Sequence, residues 1–395
     1  MISDILKPEI QNFIEANIRK DISKLALQKN PFPEIDFAVL LNQIAAKGKS
    51  EQKLPTWFAA KNIVYPPKLS IEQTSSEETA SCKAAIVSGK SLIDLTGGFG
   101  VDSYYFSKKM ESVVHCEMNA ELSDIASHNF KILHASNIEC FTGDSSEILQ
   151  KLNRKFDWMY VDPSRRSDVK GKVFLLKDCL PNVPELQKFY FEYSDNLLIK
   201  TAPILDIAAG LSELSNVKAI HIIAIENEVK ELLWEISKDY TGSITIITLN
   251  KTKEKTEKLD FVLGESENAF YGLPKKYLYE PNSSIMKSGF FESVSAKFKL
   301  DKLHPHSHLY TGNELVDFPG RTFQIDEVIK YGKTEMKELL QNKKANITIR
   351  NFPETVENLR KKWKINDGGN LYCFFTTNMN NDKIVLLCTK IKTEE

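Results

Sequence analysis

Four acidic residues stand where this chain has the means to do chemistry. Asp94 opens the run Asp94-Leu95-Thr96-Gly97-Gly98-Phe99-Gly100, and Glu117 closes an apolar run 17 residues after Gly100. Asp144 follows Gly143, and Asp162 precedes Pro163. Glycines let a backbone approach a ligand closely, and the start of a helix leaves N–H groups free to bind it. A carboxylate inside the glycine turn disfavours a pyrophosphate there and favours a ligand with an α-amino group. An acid at the end of the second strand is placed to accept both hydroxyls of a ribose. Two of these acids have plainer readings: Asp144 as the N-cap of the next helix, Glu117 as a surface strand end. A dinucleotide is the competing ligand for the turn; Asp94 and Ser103, where a third glycine is expected, speak against it.

Such acids need a sheet that presents them on one edge. Strand candidates are Ser91–Leu95, Ser112–Glu117, Ile138–Thr142, Trp158–Val161, Asn196–Lys200, Lys218–Ile225 and Ser243–Leu249. Most are continuous apolar runs, as strands buried on both faces are. Helical stretches separate most of them, which is the pattern of a doubly wound α/β sheet with right-handed crossovers. Before it, Ile5, Ile10, Phe13, Ile14, Ile18, Ile22 and Leu25 recur at helical spacing. A second amphipathic run spans Asp36–Ala46, and Trp57 and Tyr65 anchor an extended segment. The hydroxyl-rich stretch Gln73-Thr74-Ser75-Ser76 reads both as a helix cap and as a start that binds a carboxylate. Beyond Tyr271 short strands and turns take over, broken at Pro274, Pro281, Pro305 and Pro319. The expected division is a helical region at 1–75, the α/β domain at 76–270, a small module at 271–318 and an α+β module at 319–395. The charge run Lys251–Lys258 reads as a solvated loop or hairpin end.

Composition narrows the function. A chain of 395 residues is long enough for two or three domains. Its net charge of −1 gives no strong overall field for a polyanion or a membrane. Met1-Ile2-Ser3-Asp4 has no basic or apolar leader pattern. The longest apolar stretch, Ala219–Ile225, is about seven residues, far short of the roughly 20 of a membrane helix. Six cysteines without a Cys-x-x-Cys pair read as buried thiols of a reducing cytoplasm, and no zinc site is expected. His304-Pro305-His306-Ser307-His308 reads as a turn rather than a metal strand, because Pro305 interrupts regular pairing.

The Asp94–Gly100 turn with Glu117, Asp144 and Asp162-Pro163 resembles the class I S-adenosylmethionine (SAM) methyltransferases. The resemblance implies that Asp94, Thr96, Gly97, Gly98 and Gly100, with Gln73, Thr74, Ser75 and Ser76, hold the methionine part. It assigns the ribose to Glu117 beside Met118, and the adenine amino group to Asp144 beside Ser145. Asp162 then borders both cofactor and acceptor. In nucleobase amino-methyltransferases the loop at Asp162 reads acid–Pro–Pro–aromatic; here Pro163 and Ser164 are followed by Arg165 and Arg166, which can stack on a base or fork onto a phosphate. Uracil C5 chemistry needs a cysteine beyond the next strand, but Thr201-Ala202-Pro203 stands there and Cys179 comes too early. Ribose 2′-O-methyltransferases use a Lys-Asp-Lys-Glu set, and Lys83, Asp162, Lys200 and Glu226 follow in that order.

The segments Tyr279–Lys287, Asn346–Pro353 and Leu359–Gly369 extend the likeness over nearly the whole chain, to a bacterial class I family with a ferredoxin-like module and a THUMP-like C-terminal domain. THUMP domains bind RNA, so the resemblance implies a transfer or ribosomal RNA substrate. Residues 319–395 hold fourteen Lys and Arg against ten Asp and Glu. Arg350, Arg360, Lys361, Lys362 and Lys364 with Trp363 form a basic cluster able to track phosphates while a ring stacks on a base. The expectation is a cytoplasmic SAM-dependent methyltransferase acting on structured RNA at a base nitrogen, with no membrane and no obligate protein partner. Asp162, Lys200 and Arg165 are the expected catalytic groups; Pro163, Arg165, Arg166, Arg350, Arg360, Lys361, Lys362 and Trp363 the expected RNA contacts. The alternatives are ribose 2′-O-methylation, a protein or small-molecule methyltransferase whose C-terminal modules cover the cleft, and a SAM-binding RNA protein without catalysis.

Overall fold

A computed structural model describes residues 2–165, 175–265 and 267–391. The chain forms two compact units. The first holds residues 1–220 and 230–242, the second 221–229 and 243–395.

The first unit is built on β1 (Ser91–Asp94), β2 (Ser112–Glu117), β3 (Ile138–Thr142), β4 (Trp158–Val161), β5 (Asn196–Thr201), β6 (Val217–Ile225) and β7 (Glu228–Ser237). Within it the strands run β3-β2-β1-β4-β5-β7, with the first residues of β6 beyond β7. The first five strands are parallel, and β7 is antiparallel to β5. This is the expected doubly wound α/β sheet. Every residue of β4 is buried, as are Leu197, Leu198 and Ile199 of β5, so the apolar runs serve a sheet covered on both faces. The expected strand candidates did not include β7. It fills the stretch between Ile225 and Ser243.

Helices α1 (Phe37–Lys53), α2 (Glu77–Ala84), α3 (Val101–Ser107), α4 (Ala120–Ile132), α5 (Ser145–Leu152), α6 (Val183–Tyr190) and α7 (Ile207–Glu213) cover this sheet. The N-terminal helices share one apolar core with α3 and α4, in which Ile10, Ile14, Leu40, Ile44 and Trp57 meet Phe99, Tyr104 and Phe130. Polar caps set the helix starts. Asn119 accepts from Leu122 N, Asp144 from Ser146 N and Glu147 N, and Ser76 from Thr79 N. Gly100 caps α3 in the left-handed region at φ 86°, and a Cβ there would stand 2.3 Å from the Phe130 ring.

In the second unit β8 (Thr245–Lys251) and β9 (Thr256–Val262) form a hairpin whose tip carries the expected charge run. A further sheet comprises β10 (Phe270–Tyr271), β11 (Tyr277–Pro281), β12 (Asp301–Lys302), β13 (Tyr310–Gly312), β14 (Gly320–Lys330), β15 (Asn346–Arg350), β16 (Leu371–Thr377) and β17 (Lys383–Lys390), in the order β10-β12-β13-β11-β14-β17-β16-β15. Helices α8 (Lys333–Leu339) and α9 (Val356–Trp363) pack Met336, Leu359 and Trp363 against Cys373 and Phe375.

Two buried details of the first unit give measurable consequences. Gly210 of α7 faces the ring of Trp234, where a Cβ would lie 2.3 Å away, and Trp234 Nε1 donates to Thr201 Oγ1. Gly210→Ala therefore overpacks this contact and lowers stability by about 1–3 kcal/mol, read as an earlier urea midpoint. Beneath the glycine turn, Asp94 accepts from Thr96 N at 3.0 Å and from Ser103 Oγ at 2.6 Å, and Ser103 Oγ lies 3.0 Å from His115 Nδ1. Burial raises the Asp94 carboxyl to about 7, against the bonds from Ser103 and Thr96. Burial also lowers His115 to about 4. With a folded pKa above the unfolded one, Asp94 contributes stability that is whole below about pH 4 and lost as pH rises through 7. The stability of Asp94→Asn relative to the natural chain should rise across that window by roughly 4 kcal/mol. A pH-independent difference would contradict the assignment.

Candidate functional site

The carboxyl edge of the first unit's sheet opens into a cavity of about 720 Å³, within the size range of small-molecule sites. It is lined by the turn residues Thr96, Gly97, Gly98 and Phe99, by Gln73, Thr74 and Ser75 ahead of α2, and by Glu117 and Met118 after β2. Gly143, Asp144 and Ser145 after β3 and Asp162 after β4 complete the ring of expected residues. Glu117 accepts from Gly98 N at 2.9 Å and from Asn119 N at 2.8 Å, which ties the turn to the end of β2. Both capping bonds of Asp144 use Oδ1, so its Oδ2 carries no bond among the described residues. Asp144 is thus a cap and a cavity residue at once.

Three expected cofactor residues stand outside the lining. Asp94 is 1% exposed and spends both oxygens beneath the turn. Ser76 caps α2, and Gly100 packs on Phe130. A carboxylate within a glycine turn has two sides to face, and here the hydroxyl of Ser103 draws it underneath.

Of the two described cavity acids that the sequence did not single out, Asp102 and Glu185, Asp102 stands on the first turn of α3. Its Oδ2 accepts from Ser75 Oγ at 2.8 Å and from Tyr160 OH at 2.9 Å. Lys83, fully buried on α2, stands 3.2 Å from Asp102 Oδ1. The Lys83 ammonium also donates to Ser75 Oγ at 3.1 Å and to both oxygens of Glu231 at 2.8 Å. Glu231 is 2% exposed, and burial raises its carboxyl against the pull of Lys83 and Lys200. Alongside, Lys200 Nζ donates to Asp162 Oδ2, and Asp162 N donates to Thr96 Oγ1 at 2.7 Å. Burial favours neutral Lys200, but the carboxylates of Asp162, Glu231 and Asp102 outweigh it and hold the ammonium above its ordinary pKa.

The expected Lys-Asp-Lys-Glu order therefore meets a different glutamate. Glu226 lies in the β6–β7 turn at φ 49° and accepts from Lys253 N at 2.9 Å. Glu231, five residues on, reaches the buried lysine. The hydrogen bonds of Lys83 run to Ser75 and Glu231, while Lys200 bonds Asp162.

On the acceptor side, Ser164, Leu180, Pro181, Asn182 and Glu185 add to the lining, none of them expected from sequence. Pro163 is buried. Arg165 pairs through its backbone with Cys179. The side chain of Arg165 and the whole of Arg166 lie outside the described residues.

The expected basic cluster of the second unit is largely neutralised from within. Arg350 Nη2 donates to Glu280 Oε1 at 2.8 Å, and Arg321 bonds the same carboxylate. Arg360 bonds Asp367 at 2.5 Å and the carbonyls of Ala345 and Ile365 at 3.3 Å. Lys362 bonds Glu354 at 2.9 Å and Tyr331 OH at 3.0 Å. Trp363 is 7% exposed and donates to Tyr331 OH, so its ring belongs to the core of α9 and is closed to base stacking. Lys361 and Lys364 are exposed. His308 stacks on Phe291 at 3.5 Å, and His304 bonds Asn381 and Asn351 within its turn. Among the described residues no helix is long and apolar enough to cross a membrane.

Comparison with known proteins fits this geometry. Residues 277–319 match the model of a ferredoxin-like domain, and residues 320–390 that of a THUMP domain-like family. The chain is 33% identical over 79 residues to an uncharacterised RNA methyltransferase of Clostridium acetobutylicum, a match spanning 20% of this chain and 17% of that protein's length. It superimposes on the crystal structure of a candidate methyltransferase from Porphyromonas gingivalis W83 with a TM-score of 0.88 and 30% identity, over 99% of each chain. The chain therefore belongs to the family of that Porphyromonas protein, class I methyltransferases that carry a ferredoxin-like and a THUMP-like domain.

Proposed function

We propose that this chain is a SAM-dependent methyltransferase acting on RNA. One observation carries the reading: the glycine turn, Glu117, Asp144 and Asp162 converge on a single cavity at the carboxyl edge of the sheet. The residues present suit the cofactor. Cβ atoms added at Gly98 or Gly143 would meet nothing closer than 3.9 Å, so the cradle is kept open for a ligand. Gln73, Thr74 and Ser75 with the turn would hold the amino-acid end, Glu117 the ribose hydroxyls and Asp144 the adenine amino group. Leu95, Phe99, Val101 and Leu122 provide an apolar wall. When bound, the cofactor supplies an electrophilic methyl group on a sulfonium. The protein's part is positioning the acceptor and moving its proton.

RNA as the acceptor is supported by the THUMP-like match and by the relative named an RNA methyltransferase. The acceptor end is marked by Asp162, whose side chain is 34% exposed and which lines the cavity next to Ser164 and Asn182. A base nitrogen there is the reading that the acid–Pro loop suggests.

Incubation with methyl-labelled SAM and total RNA, followed by nucleoside analysis, tests the proposal. Asp162→Ala should lower transfer by about 100-fold or more while cofactor affinity, read by calorimetry, changes less than about threefold. Glu117→Ala should weaken cofactor binding by about tenfold or more, since it loses charge-assisted bonds. Equal losses of binding and transfer in Asp162→Ala would move that residue into the cofactor site.

A further inference from the structure

We propose that the acceptor is a ribose hydroxyl, deprotonated between Asp162 and Lys200, with Lys83 and Glu231 as the positioning pair behind them. This rests on the reading of the chain as an RNA methyltransferase and replaces the base nitrogen as its target.

The sign of the charge carries the inference. A neutral nitrogen becomes positive as it accepts a methyl group, whereas a hydroxyl must shed its proton and is negative as it reacts. A fixed ammonium opposes the first and stabilises the second. Lys200 is such an ammonium: it stands behind the lining, 16% exposed, bonded to Asp162 of the cavity wall and kept charged by three carboxylates. Asp162 is shaped for the proton. Lys200 occupies Oδ2, and Oδ1 carries no bond among the described residues.

The backbone register brings the second pair to the same place. Lys200 of β5 stands opposite Leu233 of β7, and Glu231 lies two residues from Leu233. Alternation then puts Lys200 and Glu231 on one face of the sheet. Glu231 is held by Lys83, which is held in turn by Asp102 of the cavity wall. Apolar side chains would fill that space at no loss of stability. A charged pair there makes sense as the means of fixing Lys200 and Asp102. Among the described lining residues on the acceptor side, Ser164, Leu180, Pro181 and Asn182 bring no ring on which a base could stack, and the aromatic ring of the lining, Phe99, stands in the glycine turn.

In the reaction the hydroxyl proton passes to Asp162 Oδ1 and from there to water. The freed oxygen pair bonds the methyl carbon as the carbon–sulfur pair leaves with the donor's sulfur, which becomes a neutral thioether. Lys200 stays protonated throughout.

The test uses the full chain, methyl-labelled SAM and total RNA from cells lacking this gene, followed by alkaline hydrolysis. A methylated 2′-oxygen cannot attack its neighbouring phosphate, so the expected label is in alkali-stable dinucleotides. Label confined to mononucleotides overturns the hydroxyl acceptor and leaves the RNA methyltransferase intact. No labelled RNA while the cofactor binds overturns the RNA reading, and this inference with it. Lys200→Ala should transfer about 100-fold more slowly at pH 7 and recover about tenfold per pH unit towards pH 9, as rising hydroxide forms the alkoxide that the ammonium no longer stabilises. Glu231→Gln should shift the pH profile the same way. Both variants should bind S-adenosylhomocysteine within about threefold of the natural chain by calorimetry. A flat pH profile, or a loss of that affinity in step with rate, would overturn the roles given to these residues.

Discussion

An ammonium with no access to water joins three elements of the first unit. Lys83 comes from α2, Asp102 from α3 and Glu231 from β7. Withdrawing such a group from water costs several kcal/mol, and only well-placed carboxylates offset it. Two carboxylates and the Ser75 hydroxyl surround it here, and removal of Lys83 would leave both carboxylates without their cation in the interior. The helix ahead of β1 and the helix after it are thereby locked to the far side of the sheet. Ser75 and Asp102, the members of this cluster that reach the cavity wall, have no freedom to drift. That wall of the cavity inherits its shape from the charges behind it.

Much of this fold is legible in the sequence because its strands are apolar on both faces and end in acids. The turn from Asp94 to Gly100, the positions of Glu117, Asp144 and Asp162, and the succession of the first five strands along the chain follow from that pattern. β7 does not. Val229, Leu232, Leu233 and Ile236 recur at three- and four-residue steps, a spacing as suited to a helix as to a strand, and only its place between β5 and β6 decides the matter. With β7 unseen, Glu226 stood as the fourth member of the charged set instead of Glu231. Asp94 shows a different limit. Sequence places a carboxylate in the turn but not the side it faces, and Ser103, standing where a third glycine was expected, is the partner that turns it inward.

The C-terminal basic cluster shows why counting charges is a poor guide to a field. Leu359 and Trp363 stand four residues apart on α9, the spacing of a buried helix face, so the ring was committed to the core by the same pattern that made the helix. Three of the five cations around it have an acid in reach: Glu280 for Arg350, Asp367 for Arg360 and Glu354 for Lys362, while Lys361 and Lys364 stand exposed. Such paired groups release few counterions when a phosphate approaches. A chain with a net charge of −1 has no strong overall field for a polyanion, and these pairs weaken the local one. Discrimination of an acceptor then falls to the cavity at the carboxyl edge, where Lys200 bonds Asp162 of its wall. Behind that edge Lys83 and Glu231 form a second charged group, tied to the cavity wall through Asp102 and Ser75.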